Sequence, residues 1–235
     1  MMPGPQKTPY KNRILGALPQ PDLDRLAADL HPVLLPFRHI LIPAGAALDS
    51  VYFIEAGIAS VLTTVAGGAT IEVGMIGREG LVGLPVLLGE SISDQQILVQ
   101  VPGNAFRIDA ALCKAAFDDS APIRRAVLRF AEGMLAMGAQ TSACNRLHST
   151  EQRFARWLLM AFGRLGAEVV PMTQEFLSSM LGVRRTGVTE TAAKMRRLGV
   201  IRYRQGEIAL LDRPALESAS CECYLTDRRS LSRLM

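Results

Sequence analysis

Between residues 184 and 204 the chain concentrates side chains that could bind a polyanion, with seven Lys and Arg residues against a single acid, Glu190. Arginine can donate two hydrogen bonds to the O6/N7 edge of guanine, a threonine methyl can contact thymine, and glutamate can accept a hydrogen bond from cytosine N4. For any one of these arginines, a solvated surface charge is an equally good interpretation. The candidate DNA contacts are Thr173, Arg184, Arg185, Thr186, Thr189, Glu190, Lys194, Arg197 and Arg204.

The pattern around these side chains predicts a helix-turn-helix. Residues 173–199 hold two apolar faces at helical spacing, separated by Gly182, with Thr173 suited to cap the first helix and Gly199 to end the second. In this motif the first helix braces the second, whose N-terminal face enters the major groove. The predicted apolar faces are Phe176, Leu177, Met180 and Leu181, followed by Val188, Ala192 and Met195.

A basic β-hairpin is predicted directly after the second helix. Apolar residues alternate on either side of Gln205-Gly206, while Arg202 and Arg204 fall on the other face. We interpret this hairpin as a wing beside the helix-turn-helix, because helix, turn, helix and basic hairpin are harder to obtain together by chance than any one of them.

A long helix is predicted upstream of the helix-turn-helix, from apolar positions that alternate spacings of four and three residues. This is the period of a coiled-coil seam, so we expect the helix to pair with its copy in a homodimer. The alternative is an amphipathic helix lying on its own barrel. The seam residues are Ile123, Val127, Phe130, Met134, Met137, Thr141 and Cys144, with His148 continuing the pattern.

A capping box, Ser149 to Gln152, is expected to stop that helix and start another, which ends at Gly166. The predicted domains are therefore a sensor domain over 1–120, a dimerisation helix over 121–148 and a DNA-binding domain over 149–235.

Short β-rich runs fill the region before the long helix, at a spacing of about ten residues that is typical of a small antiparallel barrel or sandwich. Glycine-containing turns are predicted between them, among them Ala56-Gly57 and Pro102-Gly103-Asn104. The predicted runs are 37–42, 50–55, 58–65, 70–76, 97–101 and 105–108.

Charge is divided unevenly along the 235 residues. Residues 1–120 carry 8 Lys and Arg against 12 Asp and Glu, a net −4, whereas residues 121–235 carry 18 against 10, a net +8. This asymmetry is typical of a chain in which one module binds a polyanion, which makes double-stranded DNA the first partner to test.

The sequence predicts a cytoplasmic protein without a membrane span. The longest stretch without a charged residue, Ala56 to Ile71, is interrupted by glycines and polar residues, and residues 1–20 lack the apolar core of a signal peptide.

The four cysteines are too few for a disulfide scaffold, so we interpret them as thiols. Cys221 and Cys223 alone make an incomplete zinc site, so no metal is predicted and a packing role is preferred over a redox or metal pair.

The order of β-roll, long helix and winged helix-turn-helix resembles the Crp/Fnr family of bacterial transcription regulators over nearly the whole chain. The strongest local match is TQEFLSSMLGVRRTGVTE at 173–190, and the next is VYFIEAGIA at 51–59. The resemblance implies an α+β fold with an antiparallel, cyclic-nucleotide-binding-like β-roll, and a homodimer that regulates transcription on a two-fold symmetric operator. RNA polymerase is a further partner that it implies.

The resemblance also implies roles for single residues. The position of Arg185 is commonly a base-reading arginine in that family, and the positions of Thr186, Thr189 and Glu190 help to set the sequence preference. Glu190 stands where the cyclic-AMP-responsive members have arginine, so a different operator is expected. Arg184 replaces the usual small N-cap residue, and Gly187 weakens the first turn by about 1 kcal/mol relative to alanine.

The sensor domain departs from the cyclic-AMP-binding pattern, in which a Gly-Glu pair holds the ribose and an Arg-Ser/Thr pair holds the phosphate. The matching stretches here are Gly83-Leu84 and about Asp94-Gln95-Gln96, without either charged anchor. A buried phosphate without a cation is unfavourable, so cyclic AMP is not the expected effector. The candidate effector pocket of Gly83, Leu84, Gln95 and Gln96 binds another small molecule or none.

No cofactor is predicted. An iron-sulfur cluster would need N-terminal cysteines, which residues 1–112 lack, and the candidate haem ligands His31, His39, Cys113 and His148 are scattered.

A cupin-like metal-dependent enzyme would need histidines inside the barrel, and residues 40–147 contain none, so no enzyme is expected. A module whose basic face binds acidic proteins is the remaining alternative.

Overall fold

A computed structural model describes residues 9–233 of the chain. Its contacts divide the chain into two compact units, one formed by residues 9–59 and 76–133 and the other by residues 60–75 and 134–233. The elements in chain order are α1 (Arg13–Gly16), α2 (Gln20–Ala27), β1 (His31–Leu35), β2 (Ile40–Ile42), β3 (Ser50–Thr64), β4 (Thr70–Ile76), β5 (Leu81–Val82), α3 (Leu84–Leu87), β6 (Gln96–Asp109), α4 (Ala110–Asp119), α5 (Ala121–Leu147), α6 (Thr150–Leu165), β7 (Val169–Pro171), α7 (Gln174–Leu181), α8 (Arg185–Arg197), β8 (Ile201–Arg204), β9 (Glu207–Leu210), α9 (Arg213–Ala219) and α10 (Cys223–Arg233).

The predicted antiparallel β-roll is confirmed. Within residues 9–233, six strands form one sheet in the order β1-β6-β3-β4, with β2 also paired to β6 and β5 to β3. β1 pairs with β6 in antiparallel register, from His31 opposite Arg107 to Leu35 opposite Gly103. Apolar side chains from β1, β3, β5 and β6 are buried in the first unit, among them Leu35, Phe53, Leu81 and Val99.

Two of the predicted turns are wrong, because β3 and β6 run unbroken through them. Gly57 and Gly103 are instead the points where these strands come closest. A Cβ atom on Gly103 would lie 2.0 Å from the carbonyl oxygen of Ala56, and one on Gly57 would lie 2.5 Å from that of Val101. The glycines are therefore needed for close backbone approach, which single-sequence patterns do not separate from a turn.

A buried asparagine fixes the N-terminal helix, which the sequence analysis did not predict. The side chain of Asn12 caps α1 by accepting hydrogen bonds from the amides of Ile14 and Leu15. Its amide nitrogen donates to the carbonyl oxygens of Ile54 and Gly80 at 2.9 and 2.8 Å. Every polar atom of this buried side chain therefore has a partner, which offsets the cost of its desolvation.

The predicted long helix is confirmed as α5, but its predicted seam faces inward. Ile123, Val127, Phe130, Met137 and Cys144 are buried within the chain itself, and Met134 and Thr141 are partly buried. The ring of Phe130, for example, lies against the backbone of Gly80. Residues buried in one chain cannot pack against a second copy, so the prediction of an intermolecular seam is wrong at the five buried positions. The apolar residues that α5 leaves exposed include Leu128 and Leu135, seven positions apart.

In the second unit, α6 is the central helix. The predicted capping box is present, with the Ser149 hydroxyl accepting from the Gln152 amide and the Gln152 side chain accepting from the Ser149 amide. The helix ends at Gly166 in the left-handed region, as expected. Most of its residues between Phe154 and Arg164 are buried, because α6 packs against α7, α8, α9, α10 and β7.

Candidate nucleic-acid interface

The helix-turn-helix forms as the sequence predicts. The Thr173 hydroxyl accepts a hydrogen bond from the Phe176 amide at the start of α7, and Gly182 ends that helix with a φ of 60°. The turn is short, because α8 begins at Arg185 with Arg184 as its N-cap. Arg184 makes no side-chain cap, so no side chain of the N-cap residue satisfies the first amides of α8. An anion such as a DNA phosphate could bind amides in this position.

The two faces of α8 are clearly separated. The predicted apolar face is buried, with Val188, Ala192 and Met195 at 0 to 2% exposure. Every predicted DNA contact is exposed to solvent. These exposed candidates, called the interface surface below, are Thr173, Arg184, Arg185, Thr186, Thr189, Glu190, Lys194, Arg197 and Arg204.

Three of these side chains already have partners within the second unit. The Thr189 hydroxyl lies 2.8 Å from Gln174 Oε1 and 2.9 Å from the Arg185 carbonyl oxygen. Lys194 Nζ lies 2.6 Å from Glu151 Oε2, which joins α8 to α6. With Thr173 acting as a cap, these residues help to position the helices, whereas Thr186 and Glu190 make no side-chain hydrogen bond within the described residues.

The predicted wing is confirmed as β8 and β9, with Arg204 opposite Glu207 across the turn. Both turn residues, Gln205 and Gly206, have positive φ, as a two-residue hairpin requires. β7 adds a third strand that the sequence analysis did not predict. Tyr203 ties the wing to the loop before α7, since its hydroxyl donates to the Met172 carbonyl at 2.9 Å. Burial raises the pKa of Tyr203 to about 12, so this hydroxyl keeps its proton further into the alkaline range than an exposed tyrosine does.

The candidate effector residues lie at the starts of two elements in the first unit. Gly83 precedes α3 with a φ of 97°, and its backbone lies close to Ser50 and Val51. Leu84, Gln95 and Gln96 are partly buried. Among the described residues, no side-chain hydrogen bond joins the two pairs, so a small-molecule site at these positions remains a prediction.

A side-chain cluster that the sequence analysis missed lies in the second unit. Cys144, His148, Cys221 and Cys223 present one potential ligand atom each, all within 4.8 Å of one another. Burial raises the pKa of the Cys221 thiol to about 12 and also raises that of Cys144. The expectation of no metal site rested on Cys221 and Cys223 alone, and the structure adds two donors to them. The spacing of Cys144 and His148, one helical turn apart, was the available signal.

Known proteins share the fold of this chain and contain its helix-turn-helix domain. Residues 152–219 match the family model of the Crp-like helix-turn-helix domain, which contains α7 and α8. A comparison with curated protein sequences gave no match. Many solved structures share the fold of this chain.

Three of these structures show how far the likeness extends. FixK2 from Bradyrhizobium japonicum is 14% identical with a TM-score of 0.71, the match covering 82% of this chain and 98% of that one. The c-di-GMP-responsive regulator CLP of Xanthomonas campestris is 15% identical with a TM-score of 0.69, covering 83% and 100%. A CRP-family transcriptional regulator from Thermus thermophilus is 18% identical with a TM-score of 0.65, covering 80% and 96%.

The β-roll, the long helix and the winged helix-turn-helix are the fold of the solved structures named above. The matches show a Crp-like helix-turn-helix domain over residues 152–219 and a fold shared with Crp/Fnr-type proteins, so the predicted resemblance is confirmed. The similar proteins from Xanthomonas campestris and Thermus thermophilus are both described as regulators. No helix within residues 9–233 has both the length and the apolar character needed to cross a membrane.

Proposed function

We propose that this chain regulates transcription as a homodimer that reads a two-fold symmetric operator with α8. The observation that carries the proposal is the division of α8 into a buried apolar face and an exposed face of Arg, Thr and Glu. An exposed helix of this composition has the donors and acceptors that base edges in the major groove require.

Different residues on the interface surface have different roles. Arg185, Thr186 and Glu190 stand in the first two turns of α8 and read bases. Arg197, at the end of α8, and Arg204, on the wing, bind phosphates and contribute to affinity at any sequence. Lys194 contributes less than a free lysine, because Glu151 already holds its ammonium group.

The homodimer forms through the exposed side of α5. Leu128 and Leu135 are 45% and 77% exposed, and their spacing of seven residues places them on the same side of the helix. Pairing of this apolar stripe with its copy would remove it from water. Two recognition helices related by a two-fold axis would then meet successive major grooves, about 34 Å apart.

The β-roll modulates the regulator without cyclic AMP. Its candidate pocket residues, Gly83, Leu84, Gln95 and Gln96, include no cation that could pair with a cyclic phosphate. Any effector of this roll is therefore a molecule that does not need a cationic clamp at these positions. RNA polymerase is the further partner when the bound dimer activates transcription.

The proposal is tested by selecting bound fragments from a random duplex library with the purified full-length chain at near-physiological salt, followed by sequencing. A two-fold symmetric motif is the expected result. Enrichment of a motif without symmetry would contradict the dimeric reading. Salt-sensitive binding to DNA and to an acidic protein alike, without any enriched sequence, would favour the module that binds acidic partners.

A further inference from the structure

The Cys144, His148, Cys221 and Cys223 cluster combines the end of one helix with the start of another. The Cys144 carbonyl accepts a hydrogen bond from the His148 amide at 3.1 Å, so the two side chains lie one helical turn apart at the end of α5. Cys221 lies two residues before α10, and Cys223 is its first residue. We propose that these four residues bind one zinc ion. The inference is independent of the proposed DNA-binding function.

Two of the distances within the cluster equal those of a tetrahedral zinc site, and the remaining pairs of ligand atoms lie within 4.8 Å. Cys144 Sγ lies 3.5 Å from Cys221 Sγ, and Cys223 Sγ lies 3.5 Å from His148 Nδ1. Around zinc, with bonds of about 2.3 Å to sulfur and about 2.0 Å to nitrogen, neighbouring ligand atoms lie about 3.5 to 3.8 Å apart. An ion therefore fits between the four atoms with small side-chain adjustments.

The donor set selects zinc among common metals. Three thiols and one imidazole make a Cys3His set, which is a closed structural zinc site without a position for substrate. Hard cations such as magnesium and calcium prefer oxygen ligands, and the cluster offers none. An iron-sulfur cluster would spread its ligands over several iron atoms, whereas these ligand atoms all lie within 4.8 Å of one another.

Groups around the cluster orient its ligands. His148 Nε2 lies 3.2 Å from Glu222 Oε1, which leaves Nδ1 directed to the cluster. This carboxylate-histidine arrangement commonly orients zinc ligands. Gln140 Nε2 donates a hydrogen bond of 2.9 Å to Cys223 Sγ, which stabilises a thiolate at that position.

The charged side chains near the cluster are compatible with a bound zinc ion. Zinc with three thiolates and a neutral imidazole carries a net charge of −1. The guanidinium groups of Arg153 and Arg156 interact electrostatically with Cys144. Arg156 is paired with Asp227 at 2.6 Å, which leaves Arg153 as the cation that offsets part of the negative charge of the zinc site. A nearby cation lowers the cost of placing that charge in a buried environment.

The test is the metal content of the full-length chain, expressed with zinc in the medium and purified under reducing conditions without chelator. We expect about one zinc ion per chain, falling to less than about 0.2 in Cys221→Ser and His148→Ala. Two matched variants keep the full content. Cys113→Ser changes a buried cysteine outside the cluster, and His148→Cys replaces one good zinc ligand with another.

Cobalt substitution gives a second measurement that does not depend on any variant folding. The reduced wild-type chain loaded with Co2+ is expected to show sulfur-to-cobalt charge-transfer bands in the near ultraviolet and the intense visible bands of tetrahedral cobalt. Absence of these bands would overturn the proposal. So would unchanged zinc content in Cys221→Ser, iron and sulfide in place of zinc, or a metal-free chain with Cys144 and Cys221 joined in a disulfide.

Discussion

The indole Nε1 of Trp157 donates a hydrogen bond of 2.8 Å to Glu72 Oε1, and both side chains are buried. The other carboxylate oxygen of Glu72 accepts a hydrogen bond of 2.6 Å from the Ser60 hydroxyl. This carboxylate therefore joins the β3–β4 hairpin to α6 within the second unit. A charged acceptor makes each of these hydrogen bonds stronger than a neutral pair would be.

Removing the indole donor should destabilise the second unit. Trp157→Phe keeps an aromatic ring but deletes a hydrogen bond to a charged group, and we expect a loss of about 1 to 3 kcal/mol in the free energy of unfolding. Urea unfolding followed by far-ultraviolet circular dichroism measures it, because Trp157 is the single tryptophan and its fluorescence is lost in the variant. A double-mutant cycle with Glu72→Gln that shows no coupling would contradict the assigned interaction.

Replacing two different arginines on α8 should change DNA binding in two different ways. Arg185→Ala is expected to relax the sequence preference at one symmetric base pair and cost about 1 to 3 kcal/mol on the preferred site. Arg197→Ala is expected to weaken binding to all duplexes alike and to lower the salt slope by about 1 per chain. Binding titrations on matched and mutated operators at several salt concentrations separate these effects. If the Arg185→Ala variant selected the same DNA motif as the wild type, the assignment of Arg185 as a base-reading residue would be wrong.

Crowding between β3 and β6 gives a prediction for the first unit. Gly103→Ala would place a Cβ atom 2.0 Å from the Ala56 carbonyl oxygen, so one strand must shift. We expect destabilisation of more than about 2 kcal/mol, measured by urea unfolding. Gly138→Ala is the control, since nothing lies within 4 Å of its Cβ position in α5, and alanine there should stabilise by about 0.5 to 1 kcal/mol. Equal effects of the two substitutions would contradict the close approach.

The exposed side of α5 is tested by oligomeric state. Leu135→Glu places a charge on the proposed dimer stripe, so we expect a shift from dimer to monomer in analytical ultracentrifugation. Leu34→Glu is a matched control, because Leu34 on β1 is 80% exposed, close to the 77% of Leu135. Dissociation by both variants, or by neither, would argue against pairing through this stripe.

Cys113 should be inert in the folded chain. Burial raises the pKa of its thiol to about 12, which disfavours the thiolate that reacts with alkylating agents. Because the folded pKa is raised, the protonated thiol persists across pH 7 to 9, and alkylation should rise only when urea unfolds the chain. Peptide mapping after iodoacetamide treatment measures it. Rapid labelling of Cys113 at pH 8 without denaturant would contradict its burial.

Local patterns predicted the second unit well, since its signals are short-range. The capping box at Ser149, the turn at Gly182 and the hairpin at Gln205-Gly206 each depend on residues within a few positions of one another. The Crp/Fnr-type fold followed from the order of such elements. The contacts of individual interface residues with DNA remain predictions.

Contacts between distant residues were not predictable in the same way. The periodicity of α5 correctly indicated a buried apolar face, but it carries no information on whether Ile123 or Phe130 packs on the same chain or on a copy. Gly57 and Gly103 were interpreted as turns because a close strand crossing has the same sequence signal. The Cys144 and Cys221 sulfurs meet across 77 positions, which no local spacing reveals.

The second unit is assembled from two separate stretches of chain, residues 60–75 and 134–233. A contiguous fragment that begins near residue 149 therefore carries the helix-turn-helix but omits the hairpin that holds Glu72. Trp157 in such a fragment loses its acceptor, and Gly182 loses the side chain of Ile71 that packs against it. The helix-turn-helix of this chain therefore depends on contacts with residues 60–75, and a fragment moved into another protein would keep those contacts only if the hairpin were moved with it.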